Sequence, residues 1–110
     1  MDFRCEPGKG GPGSALILLE GQLDAGTAIS FEAVAADCLA DPSVKKVILD
    51  MTGLTFISSS GLRVIMFVVK KLMPRGGKLY LAGASSQVVN LLKMSGMTRL
   101  VEFRDTAAAC

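Results

Sequence analysis

The apolar positions fall into short runs and helical stripes separated by turn formers. Residues 14–20 (SALILLE) make a strand-length run, and the preceding 7–13 (PGKGGPG) is almost entirely turn-forming, so a short opening segment and this strand predict a hairpin. Within 25–39, Ala28, Phe31, Ala35 and Leu39 recur at helical spacing until Asp41-Pro42 stops them, predicting an amphipathic helix. Residues 44–50 carry the continuous run Val47, Ile48, Leu49, the pattern of a strand buried on both faces. A connecting loop is expected over 53–57. A second helix over 60–73, apolar nearly all round, is closed by Pro74-Arg-Gly-Gly77. A strand over 78–82, a third helix over 85–94 under a serine cap, and a last strand over 100–103 complete the order ββαβαβαβ. Strands alternating with helices imply right-handed crossovers and an α/β layered sandwich with a mixed β-sheet. The last six residues, 105–110, form a stub too short to sustain a helix alone.

Composition narrows this picture. At 110 residues one core is expected, so the whole chain 1–110 reads as a single domain. Half the residues are hydrophobic, a fifth are charged and tryptophan is absent, which favours an aliphatic interior over a disordered chain. The formal charge of +2 is too small and scattered for a nucleic-acid footprint. Lys70, Lys71, Arg75 and Lys78 cluster where a helix should end, and suit its dipole for that reason. Cys5, Cys38 and Cys110 are an odd set without a CxxC spacing or any histidine, indicating neither a disulfide framework nor a zinc site. The first residues lack an apolar signal core, and the most apolar run, 62–69, is far short of the ~20 residues that span a bilayer. A cytoplasmic protein with no membrane association is the expectation.

Without histidine, a Ser-His-Asp or Cys-His nucleophile, a histidine base and histidine metal ligands are excluded. Glu20, Asp24 and Asp50 define no acid pair, so no catalytic residue, metal or cofactor is assigned and an enzyme is not expected. Residues 8–13 spell GxGxxG, but a strand follows where a dinucleotide site needs a helix. Met66, Met73, Met94 and Met97 fit either an adaptable interface or the core, and methionine at helical spacing is more often core. The informative stretch is Phe56-Ile-Ser-Ser-Ser-Gly-Leu62, which sets three hydroxyls and a glycine at a helix start. Serine there serves as a cap for unpaired N–H groups. The same position tolerates a phosphate dianion, and its −1.5 to −2 charges would expel a partner docked on a small, polar surface.

The segment Val47-Ile-Leu-Asp50 followed by Phe56-Ile-Ser-Ser-Ser-Gly-Leu62 resembles the anti-anti-sigma factors of the STAS family, whose signature is a strand ending in Asp, then aromatic, aliphatic, Asp-Ser-Ser-Gly-Leu. The likeness continues through Leu19-Glu-Gly-Gln-Leu-Asp24, Gly76-Gly-Lys-Leu-Tyr-Leu-Ala82 and Val89-Asn-Leu-Leu-Lys-Met-Ser-Gly-Met97. The resemblance implies an anti-sigma factor antagonist in a partner-switching pathway. Unphosphorylated, it binds an anti-sigma factor serine kinase; phosphorylation at Ser59 releases it, and a metal-dependent serine phosphatase resets it. Cofactors then belong to the partners. Ser58 and Ser60 are the secondary acceptors. The implied docking face holds Gly21, Asp24, Ser58, Ser59, Ser60, Gly61, Leu62 and Arg63, with loops at 21–24 and 83–86; for Asp24 a plain helix cap is the rival role. One departure is Ser58, where the family has Asp; a short C-terminus is another. The alternative is a non-phosphorylated STAS module, for example a small subunit on a lipid-transport ATPase, which the Ser58 departure favours.

Overall fold

The computed structural model describes residues 13–106 in full and the backbone of residues 2–7. Strand β1 (Asp2–Pro7) runs antiparallel to β2 (Ser14–Leu23), pairing Asp2 with Glu20 and Pro7 with Ala15. Helix α1 (Ala25–Leu39), strand β3 (Lys46–Ile57), helix α2 (Ser59–Leu72), strand β4 (Lys78–Ala82), helix α3 (Ser86–Met94) and strand β5 (Val101–Arg104) follow in alternation. The sheet order is β1-β2-β3-β4-β5, with β2 to β5 mutually parallel, so the expected order and mixed sheet are both present. Each crossover moves one place in the same direction, and right-handed connections therefore stack all three helices on one face.

Alternation within the strands divides the core accordingly. Ile17, Leu49, Leu81 and Val101 share one buried cluster with Phe31, Ile65 and Leu92 of the helices. The intervening residues Leu16, Ile48 and Ala82 form a smaller cluster on the helix-free face, against Tyr80. Lys46 Nζ and the Arg104 guanidinium lie 5.1 and 5.2 Å from the Tyr80 ring centroid. Thus Val47, Ile48 and Leu49, at 1, 2 and 0% exposure, are buried on both faces as their continuous apolar run predicts.

Residues 53–57 are not a loop. β3 runs through them to Ile57 and pairs with the end of β2, through register shifts between Leu18 and Glu20 and between Gly21 and Gln22. Burial of Leu54 and Ile57 holds this extension, and Thr55 Oγ1 donates to the Gly21 carbonyl at 2.9 Å. β2 correspondingly continues to Leu23, so 21–23 is strand and not loop. As a result α2 begins at Ser59, one residue earlier than expected, and ends at Leu72 before a short 3-10 turn, Met73–Arg75.

The basic cluster also resolves. Lys70 and Lys71 stand in the last turn of α2, as the dipole favours. Arg75 reaches across to α1's end: Nη2 donates to the Leu39 carbonyl at 2.6 Å, and Nη1 to those of Asp41 and Val44 at 3.1 Å. Lys78 pairs with Glu102 at 3.4 Å.

Contrary to the expectation from cysteine spacing, Cys38 is disulfide-bonded; sequence separation alone does not show which cysteines meet in space. Its partner is outside the described side chains, and the cytoplasmic expectation draws no support from the cysteines. Most of the GxGxxG run and residues 107–110 of the stub lie outside the described residues, but a strand does begin at Ser14, as the rejection of a dinucleotide site requires. Among the described residues no helix is long and apolar enough to cross a membrane, and no group of potential metal ligands occurs.

Candidate functional site

The serine cluster lies at the carboxyl edge of the parallel sheet, where β2 and β3 end side by side. Leu23 pairs with Ile57, and the Ser58 N–H donates to the Leu23 carbonyl at 2.8 Å. The next residue of each strand is a helix cap, Asp24 for α1 and Ser58 for α2, so two helix N-termini begin next to one another.

Asp24 is a helix cap, the rival role weighed for it. Its Oδ1 accepts from the N–H groups of Gly26 and Thr27, each at 3.0 Å, and lies 3.1 Å from Thr27 Oγ1. Thr27 Oγ1 in turn accepts from the Asp24 N–H at 2.9 Å, closing a capping box. The Thr27 N–H and hydroxyl, with the Gly26 N–H, hold the Asp24 carboxyl below the usual carboxylate range. All these bonds fall on Oδ1; among the described residues Oδ2 has no hydrogen-bond partner.

A lowered folded value fixes the sign of the pH dependence. Stability from the ionised cap is fully present above the ordinary aspartate range and is lost as pH falls through the lowered value. The Tm gap between the parent and Asp24→Ala should therefore be constant near neutrality and close on acidification below about pH 4. A gap that persists unchanged to low pH would mean that the charged cap is not what stabilises α1.

The three serines, alike in sequence, have different situations. Ser58 has extended backbone, with φ −98° and ψ 174°, and its half-buried hydroxyl accepts from the Gly61 N–H over a long 3.4 Å. Ser59 is the first residue of α2 and is exposed, whereas Ser60 is half-buried. Neither the Ser59 nor the Ser60 hydroxyl makes a hydrogen bond among the described residues. The first turn of α2 contains no acidic residue. An anion on Ser59 would thus meet free N–H groups and no fixed negative charge on its own helix.

Gly61 seats α2 on the strand ends. A Cβ at this position would lie 2.7 Å from Leu23 Cγ and Cδ2 and 2.9 Å from Ile57 Cγ1. Leu62 is half-buried against the core, and Arg63 is exposed. Of the other expected docking residues, Gly21 lies within β2 with φ 94°, its carbonyl bonded to Thr55. In the 83–86 segment, the Gly83 N–H donates to the Arg104 carbonyl at 2.9 Å and Ser85 caps α3 through the Val88 N–H at 3.3 Å.

Sequence reasoning missed a contribution from α1. A cavity of about 450 Å³ opens between α1 and α2, lined by Ala25, Ala28, Ile29, Glu32, Ser60, Arg63 and Val64. Ile29 is 73% exposed on its rim, and Phe56 is 40% exposed at the end of β3. Ile29 stands apart from the Ala28, Phe31, Ala35, Leu39 stripe, and that misplaced aliphatic residue was the available signal.

Comparison with known proteins agrees with this architecture. The family model described as the STAS domain matches residues 9–110. BtrV of Bordetella bronchiseptica, provisionally named an anti-sigma factor antagonist, is 32% identical over 100 residues, covering 88% of this chain and 85% of BtrV. Among solved structures, a provisionally assigned anti-sigma factor antagonist from Thermotoga maritima superposes with a TM-score of 0.84 at 20% identity, over 97% of this chain and 89% of that one. The Bacillus cell fate determinant SpoIIAA in its phosphorylated form superposes with a TM-score of 0.79 at 20% identity, over 98% of this chain and 95% of SpoIIAA.

Proposed function

This chain belongs to the STAS domain family, and from that premise we propose that it is an anti-sigma factor antagonist switched by phosphorylation of Ser59. Residues 1–110 act as one STAS domain in the cytoplasm, without catalysis or a cofactor of their own. Unphosphorylated, the carboxyl-edge surface docks an anti-sigma factor with serine kinase activity; phosphate on Ser59 ends docking, and a metal-dependent serine phosphatase restores it. The observation that carries the assignment is the division of labour among the hydroxyls: Ser58 is committed to the cap, Ser60 is half-buried, and Ser59 is exposed and uncommitted. A relative of the same fold, SpoIIAA, has a phosphorylated form.

The departure at Ser58 fits the switch as well as the constitutive module. Position 58 is the N-cap of α2, and Asp and Ser are comparable there, so the substitution removes a charge while keeping the cap. Asp24, the cap of α1 at the same sheet edge, keeps its Oδ2 without a hydrogen-bond partner among the described residues and so available to a docked partner. The test is to capture the partner by co-purification, incubate the pair with ATP and magnesium, and map phosphate by mass spectrometry. One phosphate on Ser59, absent from Ser59→Ala, is expected. Phosphate confined to Ser58 or Ser60 would move the switch, and none on any of the three would leave the constitutive module as the function.

A further inference from the structure

On helix α2, Arg63 stands four residues after Ser59, the spacing that brings side chains together one turn apart. It is exposed, and among the described residues it forms no ion pair or hydrogen bond. Glu32, the acid that shares the α1–α2 cavity with it, does not pair with it. The first turn of α2 offers no acid either, and position 58, a carboxylate in the family signature, is neutral here. Arg63 is thus a cation without an ion-pair partner among the described residues, one helical turn from the hydroxyl assigned as the acceptor.

We propose that Arg63 is the internal counter-ion of a phosphate on Ser59, so that modification both adds an anion and draws a cation out of the wall of the α1–α2 cavity. This rests on the phosphoswitch reading and adds its internal reader. The chemistry favours it: a guanidinium presents a planar fork of donors that matches phosphate oxygens, and the charge-assisted bonds it makes are about twice as strong as neutral ones. Ser60 is three residues from Arg63 and also within reach, whereas Ser58, five residues away and before the helix, is not. In the unmodified chain Arg63 and Glu32 line one cavity as a plus and a minus without ion-pair partners among the described residues. Phosphorylation converts that surface to a net negative one by satisfying Arg63 internally.

The test uses the full chain with phosphoserine installed genetically at position 59, which makes it independent of any kinase. The second ionisation of the phosphate is followed by 31P NMR as pH is varied. In the parent it should occur on the order of half a pH unit below its position in Arg63→Gln, and Arg63→Lys should retain part of the difference. Lys70→Gln, at the far end of α2, should leave it unchanged. Identical titrations in the parent and Arg63→Gln would overturn the proposal, as would an equal effect from Lys70→Gln. Failure of the kinase to modify Ser59 would instead sink the phosphoswitch reading and leave this measurement standing.

Discussion

Ser59→Asp should weaken binding of the captured partner by at least about tenfold, whereas Ser59→Ala should stay within about threefold of the parent. The exposed Ser59 hydroxyl has no hydrogen bond to lose among the described residues, so alanine removes nothing the fold relies on. Aspartate at the first residue of α2 faces the positive end of the helix and is tolerated or mildly stabilising. Loss of binding by this variant would therefore report charge at the interface and not unfolding. Calorimetric titration of both variants against the same partner checks it. Equal affinities would show that a negative charge at this position does not throw the switch.

Within the serine turn, the largest stability effect should come from Gly61→Ala. Glycine to alanine within a helix ordinarily stabilises by about 1 kcal/mol. Here the added methyl would press on Leu23 and Ile57, which are 0 and 2% exposed and have no free direction in which to move. Overpacking of this kind costs ~1–3 kcal/mol, so the sign should reverse, with Tm falling by several degrees. Because the clash is chiefly with Leu23, the cost should shrink when Leu23 is already alanine, a coupling that thermal melts of the two single variants and the double variant would reveal. Additive melts would place the strain elsewhere. The same displacement would tilt the first turn of α2, so partner binding should fall along with stability.

Much of this architecture is legible in the sequence. The helical stripe of 25–39 ended where Asp41-Pro42 required, and Ser85 capped α3. What failed was the 53–57 segment, because Gly53 and the flanking threonines resemble a turn in isolation. Its strand character comes from pairing with Gly21 to Leu23 across a bulge, a partnership about thirty-four residues away in the chain, as the Thr55 to Gly21 bond shows. That miss propagated to the site: with β3 carried to Ile57, the cap moved to Ser58 and Ser59 became the first helical residue. The family resemblance ranks Ser59 first among the three serines, and the structure adds that Ser58 caps α2, Ser59 is exposed and Ser60 is half-buried. Nor did the sequence pattern place Ile29 or Glu32 beside Arg63, since that meeting depends on how two helices sit on neighbouring strands.

Every strand of the sheet lies beside the strand that precedes it in the chain. During synthesis, then, no strand must wait for a later one before it can pair: β2 closes on β1, β3 adds to β2, and β4 and β5 extend the growing edge. The contacts that seat the serine turn, from Leu23 and Ile57, come from β2 and β3. The turn that carries the three serines is thus seated by strands that come before it in the chain and does not depend on β4 or β5.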